Sequence, residues 1–186
     1  MRIISGKLKG RTINAPKNLP ARPTTDFAKT GLFNILNNHL DYEGLHVLDL
    51  FCGAGNISFE FGSRGAEKII AIDQNIRCVK FIASEKEILD LSCITVYKSE
   101  VFSFLKKCDQ KFDVIFADPP YNTATTANIP QIVFEKEMLN ENGWLIVEHG
   151  ERESLAHLPH FSNVRNYGNV HFSFFRPSDP HQERLV

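Results

Sequence analysis

The stretch His46-Val47-Leu48-Asp49-Leu50-Phe51-Cys52-Gly53-Ala54-Gly55-Asn56 decides the fold. Within the strand candidate His46–Phe51, all residues after His46 are apolar except Asp49, as expected of a buried strand. It empties into a glycine-rich turn and then a helical segment, Ile57–Arg64. Glycines at a strand-to-helix turn let a ligand approach the backbone and meet the N–H groups that open the helix. A dinucleotide turn would read GxGxxG. Here DLFCGAGN has an acid two residues before Phe51 and no third glycine at that spacing. A second acid, Asp73, ends the next strand 24 positions after Asp49. A carboxylate there can accept both hydroxyls of a ribose. The segment reads as a cofactor loop, against the alternative of a tight turn with two solvated acids.

Outward from this loop, strand and helix segments alternate. Strands are expected at Lys68–Asp73, Ile94–Lys98, Phe112–Asp118 and Gly143–His149, and helices near Ile76–Leu89, Val101–Lys107 and Pro130–Leu139. In the first of these helices Ile76, Val79, Ile82 and Ala83 form the predicted apolar face. The alternation argues for a parallel sheet covered on both faces. The tail departs from the rhythm, because Asn163–Tyr167 and Val170–Phe175 flank Gly168-Asn169, a hairpin signal. On the other side of the loop, Arg2–Ser5 and Arg11–Asn14 read as a small hairpin. Ala15 to Pro23 is an extended, proline-punctuated strap. Thr24, Thr25 and Asp26 offer caps for a helix through about Asn38, with Phe27, Leu32, Phe33, Ile35 and Leu36 on its apolar face.

A length of 186 residues fits one catalytic core with a small appendage, divided here at residues 1–40 and 41–186. With 42% hydrophobic and 23% charged residues the composition excludes a disordered, collagenous or coiled-coil chain. The apolar runs fall far short of the roughly 20 residues that span a bilayer, and MRIISGKLKGR has no apolar h-region. Cys52, Cys78, Cys93 and Cys108 form no CxxC pair, which speaks against a disulfide scaffold or a zinc site. A cytoplasmic location is expected. His157, His160 and His171 have no cysteine or acid at ligand spacing, so no metal is expected. Cys52 lacks a positioned base and reads as a packing residue rather than a nucleophile. The net charge of −1 hides an asymmetry: residues 1–30 carry Arg2, Lys7, Lys9, Arg11, Lys17, Arg22 and Lys29 against Asp26 alone, a net +6, and the remainder carries −7. Such a segment is an electrostatic footprint for a polyanion, or else a solvated basic face.

Asp118-Pro119-Pro120-Tyr121 ends the fourth strand of the core, at the edge where open α/β sheets bind ligands. Two prolines remove two N–H donors and stiffen the backbone, leaving the Asp118 carboxylate and the Pro119 carbonyl as acceptors beside an aromatic ring. An exocyclic amine on a nucleobase needs that arrangement. Two acceptors hold its hydrogens and Tyr121 stacks on the base. By itself the tetrad could be a turn capping a strand. The following Thr123–Ala127 is read either as a mobile substrate loop or as a connection.

The order DLFCGAGN, Asp73, DPPY resembles class I S-adenosylmethionine-dependent methyltransferases that act on amino nitrogens of bases. The segments MRIISGKLKGR, RPTTDFAKTGLFNIL and NYGNVHFSFF extend the likeness over nearly the whole chain to the RsmD family, which methylates N2 of one guanine in 16S ribosomal RNA. The resemblance implies a Rossmann-like fold with a mostly parallel seven-stranded sheet, a C-terminal antiparallel hairpin and a small N-terminal extension that grips RNA. It further implies that Asp49 orients the loop and the amino-acid end of the cofactor. Phe51, Cys52, Gly53, Ala54, Gly55 and Asn56 would line it, Asp73 would hold the ribose with Gln74 beside it, and Glu100 and Val101 would meet the adenine. Asp118, Pro119, Pro120 and Tyr121 would hold the guanine, and Arg2, Lys7, Lys9, Arg11, Arg22, Thr24, Thr25 and Lys29 would meet the RNA. Family members usually carry a basic residue and a glutamate where this chain has Phe27 and Thr30. The expected partner is 16S RNA, within the small ribosomal subunit or its assembly intermediate, bound by a monomer. Three alternatives stay open: an adenine-N6 methyltransferase on DNA or RNA, a non-catalytic RNA-binding module, and an NAD-dependent enzyme that the missing third glycine disfavours.

Overall fold

The computed structural model describes residues 1–16, 19, 25–120 and 126–177. Among the described residues five helices and seven strands are formed in the order α1 (Asp26–Leu36), β1 (His46–Leu50), α2 (Asn56–Arg64), β2 (Lys68–Asp73), α3 (Ile76–Ile88), β3 (Ile94–Lys98), α4 (Val101–Lys107), β4 (Phe112–Ala117), α5 (Asn128–Glu135), β5 (Leu139–Gly150), β6 (Phe161–Tyr167) and β7 (Val170–Phe175). All seven strands join one sheet in the order β3-β2-β1-β4-β5-β7-β6. β1 to β5 are parallel, and β7 runs antiparallel to both β5 and β6. The expected α/β architecture with its closing hairpin is therefore present.

Neighbouring residues along each strand go to opposite faces. Val47, Ile69, Val114, Ile146 and Phe174 pack into one core with α1, α2 and α3. Leu48, Ile70, Ile115, Leu145 and Phe175 pack into the other with α4 and α5. Burial on both sides explains the continuous apolar runs. Ile3 and Ile13 of the N-terminal segment share the first of these cores, so that segment is packed on the sheet's own hydrophobic layer.

Several boundaries differ from the sequence reading for local reasons. Phe51 adopts φ 58° and leaves the strand, so β1 ends at Leu50. α5 begins two residues before Pro130, since a proline is tolerated in the first turn where its missing N–H is not needed. It stops at Glu135, short of the expected Leu139, and Glu137 follows at φ 48°. β5 then starts at Leu139, and its pairing with β4 jumps from Phe112↔Leu139 to Val114↔Trp144. Gly143 sits in this bulge, where a Cβ would stand 2.9 Å from the Asn140 carbonyl oxygen. In α3 the buried residues are Cys78 and Ile82, whereas Ile76, at the start of the expected apolar face, is exposed. The N-terminal pair of strands reduces to a single bridge, Arg2↔Thr12. The Ile4 and Ser5 N–H groups turn instead to the carboxylate of Glu60.

Candidate functional site

The order 3-2-1-4-5 in the sheet reverses direction between β1 and β4, which creates a crevice outside their C-terminal ends. The loop after β1 and the tetrad after β4 meet there, joined by an Asp118 N–H bond to the Leu50 carbonyl. Phe51, Gly53 and Gly55 all have φ between 52° and 78°. Gly55 is also the N-cap of α2, and a Cβ on it would fall 2.9 Å from the Ile82 and Phe59 side chains. Only glycine combines that backbone with that space. The Asp73 carboxylate braces the turn by accepting the Gly53 N–H at 2.9 Å and the Asn75 N–H at 2.7 Å.

Asp49 lies beneath the loop, 1% exposed, and accepts both the N–H and the hydroxyl of Ser58 in the first turn of α2. Burial raises its carboxyl pKa to about 7, against the pull of the Ser58 hydrogen bonds. Asp118 is pushed well above the usual carboxylate range, first by burial and then by the negative charges of Glu148 and Asp49. Such a cluster of crowded acids is poised to take a cationic or N–H-rich ligand, which relieves both the desolvation and the mutual repulsion. Cys52 is buried, and burial together with Asp49 and Asp73 keeps its thiol protonated, in keeping with a packing role.

Glu100 is the N-cap of α4, its two oxygens accepting the Phe102 and Ser103 N–H groups at 2.9 and 2.7 Å. Desolvation opposes its ionisation, but these bonds outweigh it and hold the pKa low. It therefore stands as a fixed anion at the end of β3, beside the buried Val101. Gln74 is exposed after β2. Pro119 is buried and Pro120 exposed, and Tyr121 lies outside the described residues. The expected cofactor, S-adenosylmethionine, offers an ammonium, a sulfonium, a ribose diol and an adenine amine. The residues present fit it: four acids, Asp49, Asp73, Glu100 and Asp118, line the ends of adjacent strands, and a bare-backboned turn lies between them.

Among the expected RNA contacts, Arg2, Lys7, Lys9 and Arg11 are exposed, while Arg22 and Thr24 lie outside the described residues. Thr25 caps α1, accepting the Ala28 N–H. Lys29 requires a correction. It is 1% exposed, and its ammonium donates to Asn56 Oδ1 and the Arg2 carbonyl, both at 2.7 Å, 3.4 Å from Glu60. Burial lowers its pKa against the pull of Glu60. It therefore cannot touch RNA and instead ties α1 to the first residue of α2. Sequence reasoning also missed Glu60, which is fully buried. It accepts the Ile4 and Ser5 N–H groups at 2.9 and 3.0 Å and pairs with Arg64 at 2.9 Å. Helical spacing from Glu60 to Arg64 was a readable sign of that pair, but nothing in the sequence marked its depth.

His160 stacks on Phe134 at 4.0 Å, and His171 meets the ring of His149 at 5.6 Å. Among the described residues no three His, Cys, Asp or Glu side chains cluster as metal ligands, and no helix is long and apolar enough to cross a membrane.

Comparison with known proteins agrees with this geometry. YlbH of Bacillus subtilis is 34% identical over 159 residues, covering 83% of this chain and 85% of that protein. Ribosomal RNA small subunit methyltransferase D of Buchnera aphidicola subsp. Acyrthosiphon pisum is 31% identical, covering 82% and 80%. The solved structure of yhhF from Escherichia coli superposes with a TM-score of 0.83 at 23% identity, covering 96% of this chain and 99% of that one. The family described as conserved hypothetical protein 95 matches residues 1–176. With the match running from the basic N-terminus to the end of the closing hairpin, the chain belongs to that family, the RsmD-type S-adenosylmethionine-dependent methyltransferases.

Proposed function

We propose that this enzyme transfers a methyl group from S-adenosylmethionine to the exocyclic N2 amine of a guanine in 16S ribosomal RNA. The observation that carries the reading is the meeting of Asp118 with the β1 loop at the switch point of the sheet. When bound, the cofactor supplies an electrophilic methyl carbon next to a sulfonium. Asp73 and Glu100 bind its ribose and adenine ends, the Phe51–Asn56 turn lines the space between them, and Asp49, buried beneath that turn, orients it towards the amino-acid end. Asp118 and the Pro119 carbonyl each accept one hydrogen of the target amine, which turns the nitrogen lone pair out of conjugation and towards the methyl donor. Tyr121 stacks on the base. As the amine gains the methyl group it becomes more acidic, and the Asp118 carboxylate is the acceptor for the proton it sheds.

The ribosomal substrate is supported by the names of the relatives called ribosomal RNA small subunit methyltransferase D and by the exposed basic side chains of the N-terminal segment. Residues 1–40 act as the RNA-gripping extension and 41–186 as the methyltransferase domain. The protein works as a cytoplasmic monomer on 16S RNA within the small subunit or its assembly intermediate.

Replacing Asp118 with alanine tests the assignment. Methyl transfer should fall by about 100-fold or more, since an oriented acceptor on the reacting amine counts for several kcal/mol in the transition state. Cofactor binding measured by calorimetry should be nearly unchanged. Thermal stability should not fall, because one of three crowded acids is gone. Wild-type turnover in this variant would refute the role of the tetrad.

A further inference from the structure

Helix α1 leaves one face outward. Phe27, Thr30, Gly31 and Asn34 recur at helical spacing along it, Asn38 follows in the turn after its end, and Tyr167 stands opposite, across a cleft of about 350 Å³. Phe27 is 69% exposed, the most exposed large apolar side chain among the described residues. The Tyr167 ring meets it edge-on, 5.7 Å away at 80°, and so holds it upright. Gly31 forms the floor of the cleft. A Cβ there would lie 2.0 Å from the Tyr167 ring, so this glycine in mid-helix lets the ring rest on the helix backbone. Asn34 on the helix and Asn38 just past its end are both exposed, and each carries an amide donor and acceptor.

Cations flank both walls. Arg2, with 62% of its side chain exposed, stands 3.8 Å from Asp26, the residue before Phe27. Arg165 is exposed on β6 two residues before Tyr167 and therefore on the same face. The cleft also opens where the chemistry is. β6 runs in the direction of β1 to β5, so Tyr167 at its end lies on the sheet edge that carries Asp118, and Lys29 of α1 reaches Asn56 of the cofactor loop.

An upright exposed aromatic ring with guanidinium groups on either side is the combination by which proteins hold a single-stranded nucleotide: the ring stacks on the base and the cations meet its phosphates. We propose that this cleft binds one unpaired RNA base beside the target nucleotide, stacked on Phe27, with its phosphates near Arg2 and Arg165. The proposal rests on the reading of the enzyme as an RNA methyltransferase.

The test compares wild type with Phe27→Ala and Phe27→Trp. Affinity for naked 16S RNA fragments and for assembled small subunits is measured across a salt series, with methyl transfer and cofactor affinity alongside. Since Phe27 is exposed, neither substitution should disturb folding. Phe27→Ala should weaken RNA binding about 10-fold or more, as expected for loss of one stacked base, and Phe27→Trp should restore it. The salt slope should stay unchanged because no charge is removed, and cofactor affinity should not move. Unaltered RNA affinity in Phe27→Ala, with methyl transfer to RNA by the wild type intact, overturns the cleft alone. Weakening in Phe27→Ala that Phe27→Trp fails to restore, on naked RNA and on assembled subunits alike, overturns the stacked nucleotide. A wild type that neither binds nor methylates RNA overturns the substrate reading itself, and the cleft proposal with it.

Discussion

Replacing Glu60 with alanine should unlatch the N-terminal segment. This carboxylate sits at 0% exposure and accepts the N–H groups of Ile4 and Ser5 and the guanidinium of Arg64, with the Lys29 ammonium 3.4 Å away. Removing one member of a buried ion pair costs about 3–5 kcal/mol, because the surviving charge is left without compensation. Two part-buried N–H donors lose their acceptor as well, at roughly 1–3 kcal/mol each where water does not replace it. Two effects work the other way. Lys29 keeps Asn56 and the Arg2 carbonyl as acceptors and, with its pKa already lowered by burial, can shed its proton. Arg64 keeps Asn37 and the Phe33 ring 4.4 Å beneath it. A net loss of about 3–5 kcal/mol is therefore expected, equivalent to a fall in Tm of roughly 6–20 °C for a chain of this size. Urea unfolding monitored by circular dichroism would measure it as a lower midpoint at unchanged slope. Glu60→Gln, which keeps one acceptor oxygen, should fall between the two. A loss below about 1 kcal/mol would refute the latch, since that is the scale of an exposed pair.

Gly6→Ala should destabilise by at least about 2 kcal/mol, because its φ of +82° and a Cβ placed 1.9 Å from the Ser63 carbonyl oxygen leave an added methyl no room; urea unfolding reads this too. Asp49 titrates at about 7 when folded, against about 4 when unfolded. The folded chain thus holds the proton more tightly, and its stability, full below about pH 4, should decline towards pH 7 by at most about 1.4 kcal/mol per pH unit. Asp49→Asn in the cofactor-free protein should flatten that decline, as a pH series of denaturation curves would show. Replacing Lys7, Lys9 and Arg11 together should reduce the salt dependence of RNA binding by roughly one unit of slope for each phosphate no longer neutralised, without changing which base is methylated; filter binding measures the slope.

The core of this fold was legible because its signals are local. A glycine-rich turn after an apolar strand, an acid at the end of the next strand and a proline-stiffened tetrad after the fourth each carry their own geometry, and the Gly168-Asn169 turn marked the final hairpin. What escaped depended on depth or on distant partners. Lys29 looked like one more cation of a basic segment, yet Asn56 and Glu60, which draw it inward, come from an element far along the chain. Gly31 carries no local sign of its role, because the ring of Tyr167 that lies on it comes from 136 positions later in the chain. The register jump in β5 likewise has no local signature beyond Gly143, because it is set by pairing with β4. In the candidate site itself the acids were found by position, but the crowding that raises Asp118 comes partly from Glu148 on β5, which no motif in the sequence singles out.

The most direct test is the identity of the methylated nucleoside. Small subunits and 16S RNA lacking the modification would be incubated with the enzyme and methyl-labelled S-adenosylmethionine, the RNA digested to nucleosides, and the label located by chromatography and mass spectrometry. The account predicts N2-methylguanosine as the labelled product, formed by the wild type and absent with Asp118→Ala. Label in N6-methyladenosine, or none in RNA despite tight cofactor binding, would contradict it.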